Sequence, residues 1–202
     1  MKRRVAITGV GLVTPVGLDP SSTWRALVAG ENGAGPITQF DASDHGVRFA
    51  CEVKNFDVEG YMDAKDARRA DRFLQFAMAS TAQALEQAGL LDDFGDVPTG
   101  RVGVIVGSGI GGLPLLERQH TRLIEGGPSR VSPFFIPMFI ADMAPGMIAM
   151  RYGAQGPNYA TVSACASSAH AIGMSFRSIR DGEADIMITG GTESTVTPLA
   201  MA

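Results

Sequence analysis

The chain has 202 residues, 45% of them hydrophobic and 19% charged, with a net charge of −4. This balance gives one sizeable core and no broad basic surface, which argues against a general nucleic-acid role. Its two cysteines, Cys51 and Cys165, supply neither a disulfide framework nor four ligands at zinc spacing, and fit a reducing cytoplasm.

The N-terminal "MKRRVAITGVGLV" mimics a secretory signal only in having basic residues before an apolar stretch. Glycines interrupt it, Pro15 follows, and no small-x-small cleavage site appears, so the signal reading is set aside. No segment has the uninterrupted apolar length of a membrane span.

Residues 4–8, "RVAIT", read as a short buried strand stopped by Gly9 and Gly11. "PSSTWRALVAG" reads as a helix capped by Ser21 or Ser22 and ended by Gly30. "VRFACEV" is a candidate strand. Residues 63–88 give the clearest helical pattern, with Phe73, Phe76, Ala77, Ser80, Ala84 and Ala88 at helical spacing and Gly89 closing it. "RVGVIVG" (101–107) has the apolar run of a buried strand, and "LLERQHTRLIEGG" is helical. "PFFIPMFIADMAPGMIAMRYG" is apolar almost throughout, which predicts a helix covered on most sides. "NYATVSA" reads as a strand, a helix follows from Cys165 to about residue 180, and "ADIMITGG" is another buried strand. Strands alternating with helices, several apolar on consecutive residues, predict a layered α/β domain with its sheet covered on both faces.

"GSGIGG" (107–112) matches the G-x-G-x-x-G dinucleotide pattern after an apolar strand. The mechanism also needs a second strand ending in an acid about 20 residues on. That region reads "GPSRVSPFFIP", with no acid and three prolines, so a tight turn in close backbone contact is the preferred reading over a nucleotide site.

"TVSACASSAHA" (161–171) sets Cys165 among small residues where a strand meets a helix. Free amides and the positive end of a helix dipole there favour a thiolate and can hold a developing oxyanion. The arrangement follows the strand–nucleophile–helix elbow of serine hydrolases. A buried, inert thiol fits the residue pattern equally well. For Cys51, between Phe49 and Val53, the inert reading is the better one. His170, five residues on, lies about 140° round a helix from Cys165 and reads as a packed histidine with its own partner. His45 and His120 read as loop and surface-helix residues.

"RRVAITGVGLVTPVG", "GSGIGG", "SPFFIP", "GPNYATVSACASSAHAIG" and "ADIMITGGTES" together resemble the β-ketoacyl-acyl-carrier-protein synthases, and "GSGIGG" with "PFFIP" resembles type II of that group. The resemblance runs end to end. It implies an α/β, thiolase-like α/β/α/β/α layered fold in two similar halves, of which residues 1–202 correspond to the first, usually in a homodimer. It implies Cys165 as the nucleophile that carries an acyl thioester, with its backbone N–H as oxyanion donor. Condensation with malonyl-acyl-carrier protein would follow, as ping-pong covalent catalysis in fatty-acid elongation. It also implies Ile110 as the gate of the acyl pocket and Phe135 as the aromatic residue reaching the partner subunit's pocket. Lys65, Arg68 and Arg69, at spacings of three and four, would share a helical face that docks the acidic acyl-carrier protein. No metal or cofactor, nucleic acid or membrane is implied. The two histidines and the lysine that the family uses for decarboxylation are expected from a second half outside these residues. A polyketide ketosynthase of the same fold and a non-catalytic partner subunit remain alternative readings. Such partners typically lack the cysteine.

Overall fold

The computed structural model describes residues 3–202. In chain order the elements are α1 (Pro20–Ala29), β1 (Ala34–Pro36), β2 (Phe49–Cys51), α2 (Ala64–Ala67), α3 (Arg72–Ala88), β3 (Val102–Gly107), α4 (Leu113–Gly126), α5 (Phe135–Phe139), α6 (Met143–Tyr152), β4 (Asn158–Thr161), α7 (Ser167–Asp181), β5 (Ile186–Gly191) and α8 (Pro198–Met201). None of the described helices is long and apolar enough to cross a membrane.

Among the described residues, β3 is the centre of a parallel sheet in the order β4-β3-β5, and β1 and β2 form a separate antiparallel ribbon. All six residues of β3 are buried. Period-two alternation divides them between two faces. Val102, Val104 and Val106 join Phe73, Leu74 and Ala77 of α3 and Ala144 and Ile148 of α6 in the main core. Gly103, Ile105 and Gly107 face the other way. A Cβ built on Gly107 would stand 2.3 Å from the Ser167 carbonyl carbon, so the bare backbone there lets the first turn of α7 sit directly on the sheet.

Residues 4–8 are not a strand. The chain that follows them lies along α3, with the Val10 amide donating to Gln87 Oε1 at 2.6 Å and the Leu12 amide to Gln83 Oε1 at 3.0 Å. A Cβ on Gly11 would stand 1.8 Å from the Ser80 carbonyl oxygen, so the close approach demands glycine. Among the described residues no strand pairs with residues 4–8, so the segment has no ladder to join, and Ile7 is 84% exposed.

The pattern over residues 63–88 divides at Asp71. Asp71 is extended (φ −67°, ψ 161°) and opens α3 as its N-cap, which leaves α2 as a single turn ending at Arg68. Asp71 itself is buried, and desolvation pushes its carboxyl above the usual value against the pull of Arg118. The cap of α1 is Asp19, whose carboxylate accepts from the Ser22 amide at 2.8 Å while Ser22 Oγ accepts from the Asp19 amide, a reciprocal capping box one turn earlier than expected. Gly30 ends the helix at φ 71° as read. The apolar run after Pro133 forms two helices, α5 and α6, separated by the extended Ile140. Ile136 and Met150 are exposed, so the run is not covered on most sides in this structure. Cys51 lies on β2 as read, but that three-residue ribbon strand leaves it exposed.

Candidate active site

β4 ends at Thr161 and α7 begins at Ser167, so Cys165 occupies the turn between them, two residues ahead of the first helical residue instead of being that residue. It is exposed and unpaired. Ala164 before it has φ 50°, the left-handed region that an alanine adopts only under compulsion. The compulsion comes from a hydrogen-bond knot at Ser167. Its buried hydroxyl accepts from the Ser163 amide at 2.9 Å and donates to the Ala164 carbonyl at 2.7 Å. Its carbonyl accepts from Thr161 Oγ1 at 2.8 Å. The small residues of the motif are therefore parts of a strained elbow that presents the thiol.

His170 is exposed, so it is not a packed histidine, but it has the partner the sequence reading asked for. Its Nδ1 lies 2.6 Å from Ser163 Oγ. The pair ties the start of the elbow to the first full turn of α7. Neither His45, in a loop with its Nε2 3.1 Å from the Pro198 carbonyl oxygen, nor His120, exposed on α4, belongs to this arrangement.

The "GSGIGG" loop runs from the end of β3 into α4 and lies against the elbow. A side chain at Gly109 would meet Ala164 Cα at 3.5 Å. The loop's donors already have an anion, the Glu193 carboxylate just past β5. It accepts from the Gly109 amide at 2.6 Å, the Ile110 amide at 3.2 Å and Ser108 Oγ at 3.3 Å. A glycine-rich loop able to cradle phosphate instead cradles a carboxylate of its own chain. Ile110, at the loop's crest, is 50% exposed.

Phe135 is half-buried in α5 and stacks on Phe139 with ring centres 5.5 Å apart. The Phe139 carbonyl in turn accepts from the Gly112 amide at 2.8 Å, which links α5 to the Ile110 loop. Lys65 and Arg68 are exposed at α2. Arg69 lies beyond the single turn of α2, and its guanidinium packs over Phe134, 4.4 Å from the ring centre. The three basic residues are thus neighbours on one surface rather than one face of a long helix. Among the described residues, no three His, Cys, Asp or Glu side chains gather as a metal site would require. A cavity of about 140 Å³ opens between the N-terminal segment and the end of β5, lined by Leu12, Phe76, Ser80, Thr192 and Glu193 among others, and Cys165 is not part of its wall.

Residues 2–202 match the family model described as "Beta-ketoacyl synthase, N-terminal domain". The chain belongs to the β-ketoacyl synthase family. It is 49% identical over 201 residues to a Synechocystis protein named 3-oxoacyl-[acyl-carrier-protein] synthase 2, and 46% identical over 200 residues to a protein of that name from Staphylococcus aureus. Those alignments cover 100% and 99% of this chain and 48% of each relative, so the chain spans about half the length of the curated relatives it matches. The ishigamide ketosynthase/chain length factor superposes with a TM-score of 0.89 at 29% identity, over 100% of this chain and 50% of that one. The fold is thereby that of the thiolase-like ketosynthases, as the motifs implied.

Three residues of the β-ketoacyl synthase elbow and loop were not singled out by sequence reading. Ser163 and Ser167 are disguised by small-residue composition, and only their contacts separate them from filler. Glu193 stands in "GGTES" after an apolar strand. The signal available was an acid one residue beyond a glycine pair at a strand end, where a carboxylate meets backbone amides of neighbouring loops.

Proposed function

We propose that this chain carries the nucleophilic half of a 3-oxoacyl-[acyl-carrier-protein] synthase, with Cys165 as the acyl-accepting residue. The observation that carries the reading is the exposed thiol on a strained elbow ahead of α7, in a chain 46–49% identical to synthases of that name.

In the first half-reaction the Cys165 sulfur attacks the carbonyl of an acyl thioester on acyl-carrier protein. The S–acyl bond to the enzyme forms, the bond to the carrier's thiol breaks, and that thiol leaves with the proton. The Cys165 N–H would donate to the oxygen on which charge develops. In the second half-reaction malonyl-carrier protein loses CO₂, its carbanion attacks the enzyme thioester, and 3-oxoacyl-carrier protein departs as Cys165 is freed. Thioester exchange is nearly isoenergetic, which suits sulfur as the relay. Ile110 and Phe135 would bound the acyl chain, and Lys65, Arg68 and Arg69 would receive the carrier. The relatives' length supports assigning residues 1–202 to the first half of the enzyme, with the decarboxylating histidines and lysine from sequence outside them. The homodimer rests on family resemblance, and the cytoplasmic setting on the free thiols. The shared name of the two relatives favours fatty-acid over polyketide elongation.

Incubation with acyl-carrier protein and mass spectrometry of the intact protein tests the assignment. One acyl increment is expected on the wild type and none on Cys165→Ala. An acylated Cys165→Ala protein overturns it. Given malonyl-carrier protein as well, these 202 residues alone are expected to form no 3-oxoacyl product.

A further inference from the structure

The backbone amides of Ile110 and of Gly109 before it are bonded to one side chain. The Gly109 and Ile110 amides both donate to Glu193 Oε2, and Ser108 Oγ reaches Oε1. Ser108 is buried and also accepts from the Gly111 amide at 3.1 Å, which braces the loop from within. The base of the Glu193 strand end is equally fixed. The Thr192 amide donates to the Gly107 carbonyl at 3.0 Å, and Thr192 Oγ1 donates to the Phe73 carbonyl at 2.6 Å. The carboxylate is therefore a rigidly based, exposed anion at which the loop's donors converge. It also lines the 140 Å³ cavity, which gives it space to withdraw. Hydrogen bonds to an ionised acceptor are about twice as strong as neutral ones, so this contact decides how freely the loop opens.

We propose that Glu193 is the catch of the acyl gate: its carboxylate holds the Gly109–Ile110 backbone and so sets how readily Ile110 uncovers the chain-binding space beside Cys165. The proposal rests on reading Ile110 as that gate. Glu193 is a positioning residue. It acts through the loop, touching neither the thiol nor, in this arrangement, the acyl chain. Because the loop runs beside Ala164, with room for no more than a methyl group at Gly109, the catch also sets the spacing between gate and elbow.

The test uses the full chain with Glu193→Gln, which keeps the shape and removes the charge, and Glu193→Ala, which removes the acceptor. Two quantities are read: hydrogen exchange of the peptide spanning residues 108–112, and the ratio of Cys165 acylation rates with hexadecanoyl- and hexanoyl-carrier protein. Exchange is expected to quicken about tenfold in Glu193→Gln, the change equivalent to about 1.4 kcal/mol, and further in Glu193→Ala. The acylation ratio is expected to shift several-fold towards the longer chain, in the same order. Unchanged exchange in both variants overturns the catch. Faster exchange with an unchanged ratio overturns Ile110 as the gate, and the proposal with it, while leaving Cys165 as the acylated residue. A wild-type protein acylated by neither substrate overturns the proposed function itself.

Discussion

Ser163 Oγ and His170 Nδ1 stand 2.6 Å apart, on opposite sides of the turn that carries Cys165. The contact joins the last extended residues of the β4 connection to α7 and closes a ring around the strained Ala164. Loss of either partner leaves the elbow held by the Ser167 knot and the Ala166 amide's bond to the Ser163 carbonyl.

Ser163→Ala and His170→Ala are each expected to slow acylation of Cys165 about threefold to tenfold, as the loss of one hydrogen bond worth on the order of 1 kcal/mol would. The double variant is expected to be no slower than the worse single one, since both remove the same bond. Timed intact-mass measurements with acyl-carrier protein give the rates. Additive losses would mean that the two residues act separately.

Gly11→Ala is expected to destabilise the chain by about 1–3 kcal/mol or more, because its methyl must displace the Ser80 carbonyl, a backbone atom of α3 with nowhere to go. Thermal melting followed by circular dichroism measures the change. Gly46→Ala, with open space around it, serves as the control and should melt with the wild type.

How much of this arrangement was legible beforehand depended on how local its cause was. The apolar runs of β3 and β5 and the periodic face of α3 declared themselves, because burial there is set by consecutive residues. Gly30 and Gly89 marked helix ends through their own left-handed conformation. Residues 4–8 misled because strand character belongs to a pair of segments: among the described residues no strand pairs with them, and the chain just after them, at Val10 and Leu12, gives its amides to Gln87 and Gln83 of α3. Asp71 misled because helical periodicity continued through it, and only its backbone angles break the helix. At the site, the cysteine and its small neighbours pointed to an elbow. The carboxylate of Glu193 did not announce itself, since its partners lie more than eighty residues away in sequence.

Acid stability should depend on Asp185. Its hydrogen-bonded partner Arg101 holds the carboxyl far below its ordinary value of 3.8, aided by Arg3 and opposed by desolvation. A carboxyl depressed in the folded state adds stability above its unfolded value, and that stability is lost as the pH falls towards and through the folded value. Asp185→Asn should therefore lower the melting temperature at neutral pH and flatten the acid limb below about pH 4. Melting curves from neutral to strongly acidic pH give both readings. A variant with the wild-type acid limb would place the acid sensitivity elsewhere.

Lys65→Glu combined with Arg68→Glu should raise the acyl-carrier-protein concentration needed for half-maximal acylation rate about tenfold at low salt, with little change in the maximal rate. The difference should narrow as salt is added. Acylation by a small pantetheine thioester, which has no acidic surface, should be unaffected. Arg69→Glu should behave differently, because it also removes the guanidinium from Phe134 and loosens the approach to α5.

The parallel sheet has β4 on one side and β5 on the other, and among the described residues no further strand pairs with either, although on β4 the Ala160 amide is taken by Asp142 Oδ1 at 3.0 Å. A sheet edge without a partner strand is a template for any extended peptide that passes. When these 202 residues are produced by themselves, precipitation through edge-to-edge pairing is the expected hazard. A covering polypeptide supplied during synthesis is the remedy that addresses its cause.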